Sequence, residues 1–383
     1  MRQRGGRRAS TLGVRSVVVA LLLVLSACPS QAPQRPTIPT TPTEPPTPPP
    51  READAPKLDV VRVASAGDLP DVLVPGTYRL HLIDVGTGLA VLIQGVDFAM
   101  LYDAGTNDAK EKPSRVLAYL AAVLGESGDD LCGHPGEVPK RKIDHVLLSH
   151  PHFDHASALD TVLHCYEVAN YWDSGKTATT KFYLELLDAL AKTSLHYHTA
   201  ADEPQVTIAK WTRYSEGDVV QLGEGASFTI LHANPKASDA NAASLVVAVK
   251  LGRTKILLVG DAESGPRKDP SYPVGDVEEH LIDHHKDRIR SDILQVGHHG
   301  SMTSSRHDFI EAVKPSYALV STGPKTYGKV TLPDQVVLDE LVRSGATVLR
   351  TDERDGRCPV QGRIGGNDDG PGGCDTWVIT IGP

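Results

Sequence analysis

Ser149-His150-Pro151-His152-Phe153-Asp154-His155-Ala156 sets three imidazoles and a carboxylate within a single turn, directly after the apolar run that ends at Leu148. In a turn that closes a strand, the alternate residues His150 and His152 converge on one cation, while Asp154 and His155, one step further on, face a second. Imidazole and carboxylate donors without thiolate suit zinc or a similar divalent first-row ion. A polar loop that merely opened a helix, with Asp154 as its cap, would have no use for three histidines at this spacing.

On both sides of this turn, apolar runs of strand length recur between turn residues. Residues 78–84, 90–93 and 98–102 read as consecutive strands, and a helical pattern follows over 114–124. A strand over 145–149 leads into the histidine turn, then a helix from near Ala156 and another over 181–191. The second half repeats the style, with strands over 228–232, 245–251, 255–259, 293–296, 318–321 and 348–350 and helices over 277–288 and 334–343. Two strand-rich halves, each with helices, predict an α/β fold in which a central pair of sheets is covered by helices on both outer faces. No residue-level repeat relates the halves, and the polar clusters fall at strand ends, where sites usually form.

Two of those strand ends matter. Asp261 closes Leu257-Leu258-Val259-Gly260-Asp261, and His298 and His299 follow an apolar strand in Leu294-Gln295-Val296-Gly297-His298-His299-Gly300-Ser301. With the first turn, these residues resemble the metallo-β-lactamase superfamily: its His-x-His-x-Asp-His motif, its strand-terminal aspartate and its last histidine, in that order. The resemblance implies a four-layer αββα fold and a dinuclear site in which His150, His152, Asp154, His155, Asp261 and His299 bind metal. His298 would contact the substrate or its leaving group, although the sequence does not separate the roles of His298 and His299. Many members carry a further histidine between the first motif and the bridging aspartate. Here His232 is the candidate, with Asn241 and Ser244 as alternatives.

Several stretches, over most of residues 78–352, resemble the hydrolase domain of ComEC-type DNA-internalisation proteins and stand-alone relatives such as phosphorylcholine esterases. Leu82-Ile83-Asp84-Val85-Gly86-Thr87-Gly88 resembles that branch's Asp-Val-Gly-Gln-Gly-Asp opening, and Leu101-Tyr102-Asp103-Ala104-Gly105 resembles its Asp-x-Gly. Gly-His-His-Gly-Ser with Thr303-Ser304 is the most specific element. Tyr327-Gly328, Pro333 and Arg350-Thr351-Asp352 resemble the closing helix and strand. Thr87 and Leu89 depart from the opening turn, and His152 stands where competence-type members often have aspartate.

The resemblance implies two divalent metal ions, zinc first with manganese or iron as alternatives, and a bridging hydroxide oriented by Asp154 and Asp261. The expected activity is phosphodiester hydrolysis of a nuclease-like kind, on DNA or on a small or cell-envelope phosphodiester. The alternatives are a β-lactamase or thioester-type metallohydrolase, for which a histidine as third ligand of the first metal is expected, and a catalytically idle, lipid-tethered binding protein.

The N-terminal residues have a different character. Arg2, Arg4, Arg7, Arg8 and Arg15 precede the short apolar run from Val17 to Leu25, as in an export signal. Leu25-Ser26-Ala27-Cys28 resembles a bacterial lipobox, which implies lipidation at Cys28 and membrane anchoring. With Pro29 rather than aspartate after it, outer-membrane or periplasmic placement is the expectation. The sequence thus divides into a signal peptide over 1–28, a Pro/Thr-rich tether over 29–74 and a hydrolase domain over 75–383. Without the five signal arginines, 34 of the 39 basic residues remain against 48 acids, a formal charge of −14, which disfavours non-specific nucleic-acid binding.

Besides Cys28 there are four cysteines, an even number in an exported chain. Cys358 with Cys374 is the favoured bridge, because closing the loose Gly- and Asp-rich loop between them stabilises by roughly 3 kcal/mol in the entropy model. Cys132 with Cys165 is the remaining pair, with less to argue for it. His280, His284 and His285 read as a solvated helix face, and His196 and His198 lack neighbours to complete a coordination shell. Tyr171, Trp172 and Asp173 fit either the cleft or the core.

Overall fold

The structure, a computed structural model, describes residues 58–107, 114–355, 358, 363–364 and 373–382. The signal-like segment, Cys28 and the Pro/Thr-rich stretch up to residue 57 lie outside the described residues. Among the described residues no helix is long and apolar enough to cross a membrane.

The first half contains β1 (Leu58–Val63), β2 (Tyr78–Leu82), β3 (Val91–Gln94), β4 (Ala99–Tyr102), α1 (Arg115–Leu124) and β5 (Lys142–Leu148). It continues with α2 (Phe153–Ala156), α3 (Leu159–Cys165), β6 (Glu167–Asp173), α4 (Lys181–Ala191), β7 (His196–Thr199) and β8 (Trp211–Arg213). The second half contains β9 (Val219–Gly223), β10 (Ala226–His232), β11 (Val246–Leu251), β12 (Thr254–Leu258), α5 (Asp276–Ile289), β13 (Ile293–Gln295) and α6 (His307–Val313). Then come β14 (Tyr317–Val320), a small hairpin of β15 (Thr326–Tyr327) and β16 (Val330–Thr331), α7 (Gln335–Arg343), β17 (Thr347–Arg350) and β18 (Thr376–Ile381).

The strands form a nine-stranded sheet, β1-β18-β2-β3-β4-β5-β6-β7-β8, and a seven-stranded sheet, β17-β14-β13-β12-β11-β10-β9. Each begins as an antiparallel meander (β2 to β4, β9 to β12) and continues through parallel strands (β4 to β8; β12, β13, β14 and β17). The two halves therefore share a plan of topology without sharing residues.

Period-two alternation sorts the side chains into layers. Leu80, Val91, Met100 and Leu147 from one sheet meet Phe228, Ile230, Val247 and Leu258 from the other in the central core. Val146 and Leu148, which point the other way from β5, pack with Val116, Leu120, Val162 and Leu190 of α1, α3 and α4. Leu257 and Leu294 pack against Leu281, Phe309 and Leu341 of α5, α6 and α7. The result is the expected four-layer αββα sandwich. Each fully buried aliphatic side chain contributes about 1.5–3 kcal/mol, so these layers fix the strand ends.

The domain begins earlier than residue 75. Leu58–Val63, placed in the tether by composition, pairs in register with β18 from Leu58↔Ile381 to Val63↔Thr376. Its Arg62 lies 4.3 Å over the Trp377 ring and pairs with Asp375 at 2.9 Å. The alternating, β-branched Leu-Asp-Val-Val-Arg-Val suits an edge strand, but it follows so closely on the Pro-rich run that composition averages hide it.

Both disulfides are present: Cys358–Cys374 and also Cys132–Cys165, which ties the turn after α1 to the end of α3. Asp84 of the opening motif is buried and structural. It accepts hydrogen bonds from the backbone N–H groups of Gly86, Cys374 and Asp375, locking β18 beside β2. Trp172 belongs to the central core, stacked on His198 at 3.7 Å, and Tyr171 to an outer one. Asp173 is buried, accepting from the Tyr197 hydroxyl and Gly175 N–H.

Candidate metal centre

The site is assembled from the carboxyl ends of parallel strands, the usual position for a site in an α/β sheet. β5 delivers His150 and His152, and the single turn of α2 carries Asp154 and His155. β12 ends just before Asp261, and β13 just before His298 and His299.

The backbone of the first turn is clamped from below. Leu89 N–H donates to the Asp154 carbonyl at 3.0 Å and Ala104 N–H to the His155 carbonyl at 2.9 Å. Gly105 lies so close to the Asp154–His155 peptide that a Cβ there would collide with it, which is why this position needs glycine. His298 and His299 both adopt left-handed backbone (φ 46° and 53°), a conformation that costs non-glycine residues about 1–3 kcal/mol each. The turn is held by His298 N–H to the Gly260 carbonyl (3.2 Å), Ser301 N–H to the His298 carbonyl (2.9 Å) and Ser304 Oγ to the Gly297 carbonyl (2.7 Å).

Two donor groups result. The ligand atoms of His150, His152 and Asp261 lie within 4.8 Å of one another, as do those of Asp154, His155 and His299. Asp261 faces both: its Oδ2 lies 3.7 Å from His150 Nε2, and its Oδ1 lies 3.2 Å from His155 Nε2 and 3.8 Å from His299 Nε2. His299 Nε2 is also 3.7 Å from Asp154 Oδ2.

The orienting partners sit on the far side of each ring. His155 Nδ1 donates to Asp103 Oδ2 at 2.8 Å, and Asp103 also accepts from Ser149 N–H and Oγ, each at 2.7 Å. His299 Nδ1 donates to the Ser321 carbonyl at 2.8 Å. Both rings therefore turn Nε2 inward, the arrangement that fixes tautomer and aim at metal sites. His155 Nε2, His299 Nε2 and Asp261 Oδ1 are buried without a hydrogen-bond partner. Leaving such groups unsatisfied costs about 1–3 kcal/mol each, and one electropositive ion among them would satisfy all three. On that observation the residues fit a metal.

Electrostatics agree. Burial, with His155 beside it, pushes the His150 imidazole well below its usual pKa, and burial also lowers His152, so both favour the neutral form that ligates. Burial works against charge on His155, but Asp261 and Asp103 hold its pKa well above the usual value. Burial raises the Asp154 and Asp261 carboxyls, yet the facing imidazoles, His299 and His155 for Asp154 and His155 first for Asp261, bring both far below the carboxylate range. Protons on imidazole thus balance the acids, and a divalent ion entering here displaces protons.

His298 stands apart from both groups and is partly exposed. Its Nε2 is 3.9 Å from Asp261 Oδ2, and its Nδ1 is 2.8 Å from both Glu263 Oε1 and Thr303 Oγ1. Opposite it, Asp154 Oδ2 accepts from the Tyr327 hydroxyl (2.9 Å) and Asn107 Nδ2 (3.0 Å), and Lys325 Nζ donates to Asn107 Oδ1 (2.7 Å). Burial and the Asp154 charge raise the Tyr327 pKa above the tyrosine range.

His232 is not brought to the centre. Its Nδ1 donates to the Ser244 carbonyl at 2.8 Å, and its ring packs edge-on to His280 at 5.3 Å. A β-bulge between Ile230 and His232 shifts the alternation at the strand end. Asn241 Oδ1 and Ser244 Oγ are buried without hydrogen-bond partners, and Asn241 Nδ2 donates to Glu263 Oε1 at 3.3 Å. Asp103 and Tyr327 lie in recognised motifs, but their roles at the site emerge only in three dimensions. Glu263 and Asn107 carry no local signal at all.

With this geometry in view, a family model described as "Metallo-beta-lactamase superfamily" matches residues 83–323. The chain belongs to the metallo-beta-lactamase superfamily. As a superfamily metallohydrolase it is similar to Recombination protein 2 of Haemophilus influenzae, 26% identical over 72% of this chain and 28% of that protein. It is likewise similar to Competence protein ComA of Neisseria gonorrhoeae, 26% identical over 74% of this chain and 32% of that protein. The chain thus spans about a third or less of the length of these curated relatives. Among solved structures, the metallo-beta-lactamase fold protein YhfI from Bacillus subtilis aligns with 71% of this chain and 96% of its own, at 12% identity and a TM-score of 0.38.

Proposed function

We propose that this chain is an exported, lipid-anchored phosphodiester hydrolase working with two divalent metal ions, zinc in the first instance. The observation that carries this reading is Asp261, whose two carboxylate oxygens face two separate imidazole groups. His150 and His152 would hold one ion, Asp154, His155 and His299 the other, and Asp261 both. Bound there, the ions supply Lewis acidity and lower the pKa of coordinated water.

The chain's own groups do the rest. Asp103 and the Ser321 carbonyl hold the rings of His155 and His299, so little reorganisation is needed when a substrate arrives. Glu263 and Thr303 fix His298 by Nδ1, which leaves Nε2 to hydrogen-bond a phosphoryl oxygen or pass a proton to the departing one. Lys325, beside Asn107 at the rim, offers a positive charge to an anionic substrate despite the acidic balance of the chain.

The likeness to the recombination and competence proteins favours a phosphodiester over a lactam or thioester. A small or cell-envelope phosphodiester suits the formal charge of −14 at least as well as DNA. The test is turnover by the zinc-replete chain of bis(p-nitrophenyl) phosphate and single-stranded DNA against a β-lactam and a thioester. Phosphodiester cleavage alone is expected, whereas turnover of only the lactam or thioester would reverse the assignment. Anchoring rests on Leu25-Ser26-Ala27-Cys28, and Cys28→Ser is expected to release the protein from the membrane fraction. Unchanged fractionation would defeat it.

A further inference from the structure

Glu216, in the turn between β8 and β9, meets two histidines of α5. His280 Nε2 lies 3.0 Å and His285 Nε2 3.5 Å from the same oxygen, Glu216 Oε2. The three donor atoms fall within 4.8 Å of one another. We propose that Glu216, His280 and His285 form a further metal site, distinct from the Asp261 centre, that takes a divalent transition ion of the zinc, nickel or copper kind.

Ion pairing alone does not account for the arrangement. One carboxylate neutralises one imidazolium, yet a second imidazole nitrogen is aimed at the same oxygen and a third ring, that of His232, packs edge-on to His280 at 5.3 Å. Three protonated imidazoles would repel one another here, whereas three neutral ones offer lone pairs to a cation. His232 spends its Nδ1–H on the Ser244 carbonyl.

The helix is bent to make the site. Residues five apart on a regular helix point about 140° away from each other. α5 leaves helical geometry at His285 (φ −133°, ψ 22°), and the His280 and His285 ring centres come to 5.8 Å. His284, at helical spacing, stacks its ring on that of His280 at 4.4 Å but turns its Nδ1 onto the His280 carbonyl at 3.0 Å and does not face Glu216. Exposure is graded: the His285 side chain is 9% exposed, while those of His280 and Glu216 are 31% and 33% exposed. An ion enters from solvent and finds one ligand already buried. Bound, it would fasten α5 to the β8–β9 turn.

The test uses the untagged full-length chain, equilibrated with zinc, and counts zinc per chain by mass spectrometry. It is run in the parent and in an Asp261→Ala background, so that failure of this site and failure of the main centre are told apart. His280→Ala/His285→Ala is expected to lower zinc by one equivalent per chain in both backgrounds and to abolish that part of the zinc-induced rise in Tm which persists in Asp261→Ala. Glu216→Gln, which leaves the helix untouched, is expected to weaken this zinc at least tenfold. Unchanged zinc content in the double variant, or unchanged affinity in Glu216→Gln with native circular dichroism, overturns the proposal.

Discussion

The Asp261 centre and the Glu216 group draw on the same donors, imidazole and carboxylate, but hold them by different means. At Asp261 the donors come from three strand ends, His150, His155, Asp261 and His299 lie buried while His152 is exposed, and the rings of His155 and His299 are aimed from behind by Asp103 and the Ser321 carbonyl. At Glu216 the donors come from one bent helix and one turn, and two of the three side chains are about a third exposed. Buried rings with fixed tautomers suit chemistry, because their aim is set before substrate binds. Half-exposed rings on a helix suit reversible attachment. The difference lies in what stands behind the ligands.

The largest effect should follow from the residue both halves of the main centre share. Asp261→Ala is expected to abolish phosphodiester turnover, by on the order of a thousandfold or more, and to strip zinc from both donor groups. Measured by metal analysis and turnover together, retention of both zinc equivalents with full activity would refute the shared role.

Asp103→Asn tests the backing directly. It leaves every proposed ligand in place but removes the carboxylate charge and one of the two acceptor oxygens that Asp103 turns to His155 and Ser149. Zinc affinity or activity should fall by about 10–100-fold, the usual cost of losing such a partner, while the helix site is unaffected. An equal loss at both sites would instead mean general unfolding.

His298 and His299 should part company. His299→Ala is expected to lose metal, whereas His298→Ala should keep zinc content and lower kcat by about 10²–10⁴-fold. If both variants lost metal alike, His298 would have to be reassigned as a ligand.

A smaller effect concerns buried imidazoles that are not ligands. His81 is fully buried between the Tyr119 hydroxyl and Gln94, and burial lowers its pKa to about 3. His145, beside Trp172, is lowered to about 4. Their folded pKa values lie below the unfolded value, so their stabilisation is present above pH 6.5 and is lost as pH falls toward 4 and 3. The slope is up to about 1.4 kcal/mol per pH unit for each group. Urea midpoints measured from pH 7 to pH 4 should fall, and less steeply in His81→Gln. Identical slopes would remove His81 from the account.

The same contrast explains what can be read from sequence. The strand ends are legible because β5, β12 and β13 carry short apolar runs (Val146 to Leu148, Ile256 to Leu258, Ile293 to Leu294) shortly before polar clusters, and the candidate ligands lie there. The helices α1, α4 and α7 show their period. β1 and β18 pair with each other across nearly the whole chain, and neither adjoins a recognisable turn, so both escape local reading. His232 looks like a ligand because it ends an apolar strand, but the bulge before it turns it to Ser244 and His280. The Glu216 group is hidden for a similar reason: helical spacing points to His280 with His284, and only the bend at His285 reveals the other pair. Asp103 has a motif, but its partner His155 is reached through space.

The central claim is that two ions share Asp261 between separate imidazole groups. Anomalous zinc scattering from crystals of the metal-replete chain tests it most directly. The account predicts two peaks flanking the Asp261 carboxylate, one among His150 and His152 and the other among Asp154, His155 and His299. Zinc bound elsewhere, with neither group occupied, would contradict it.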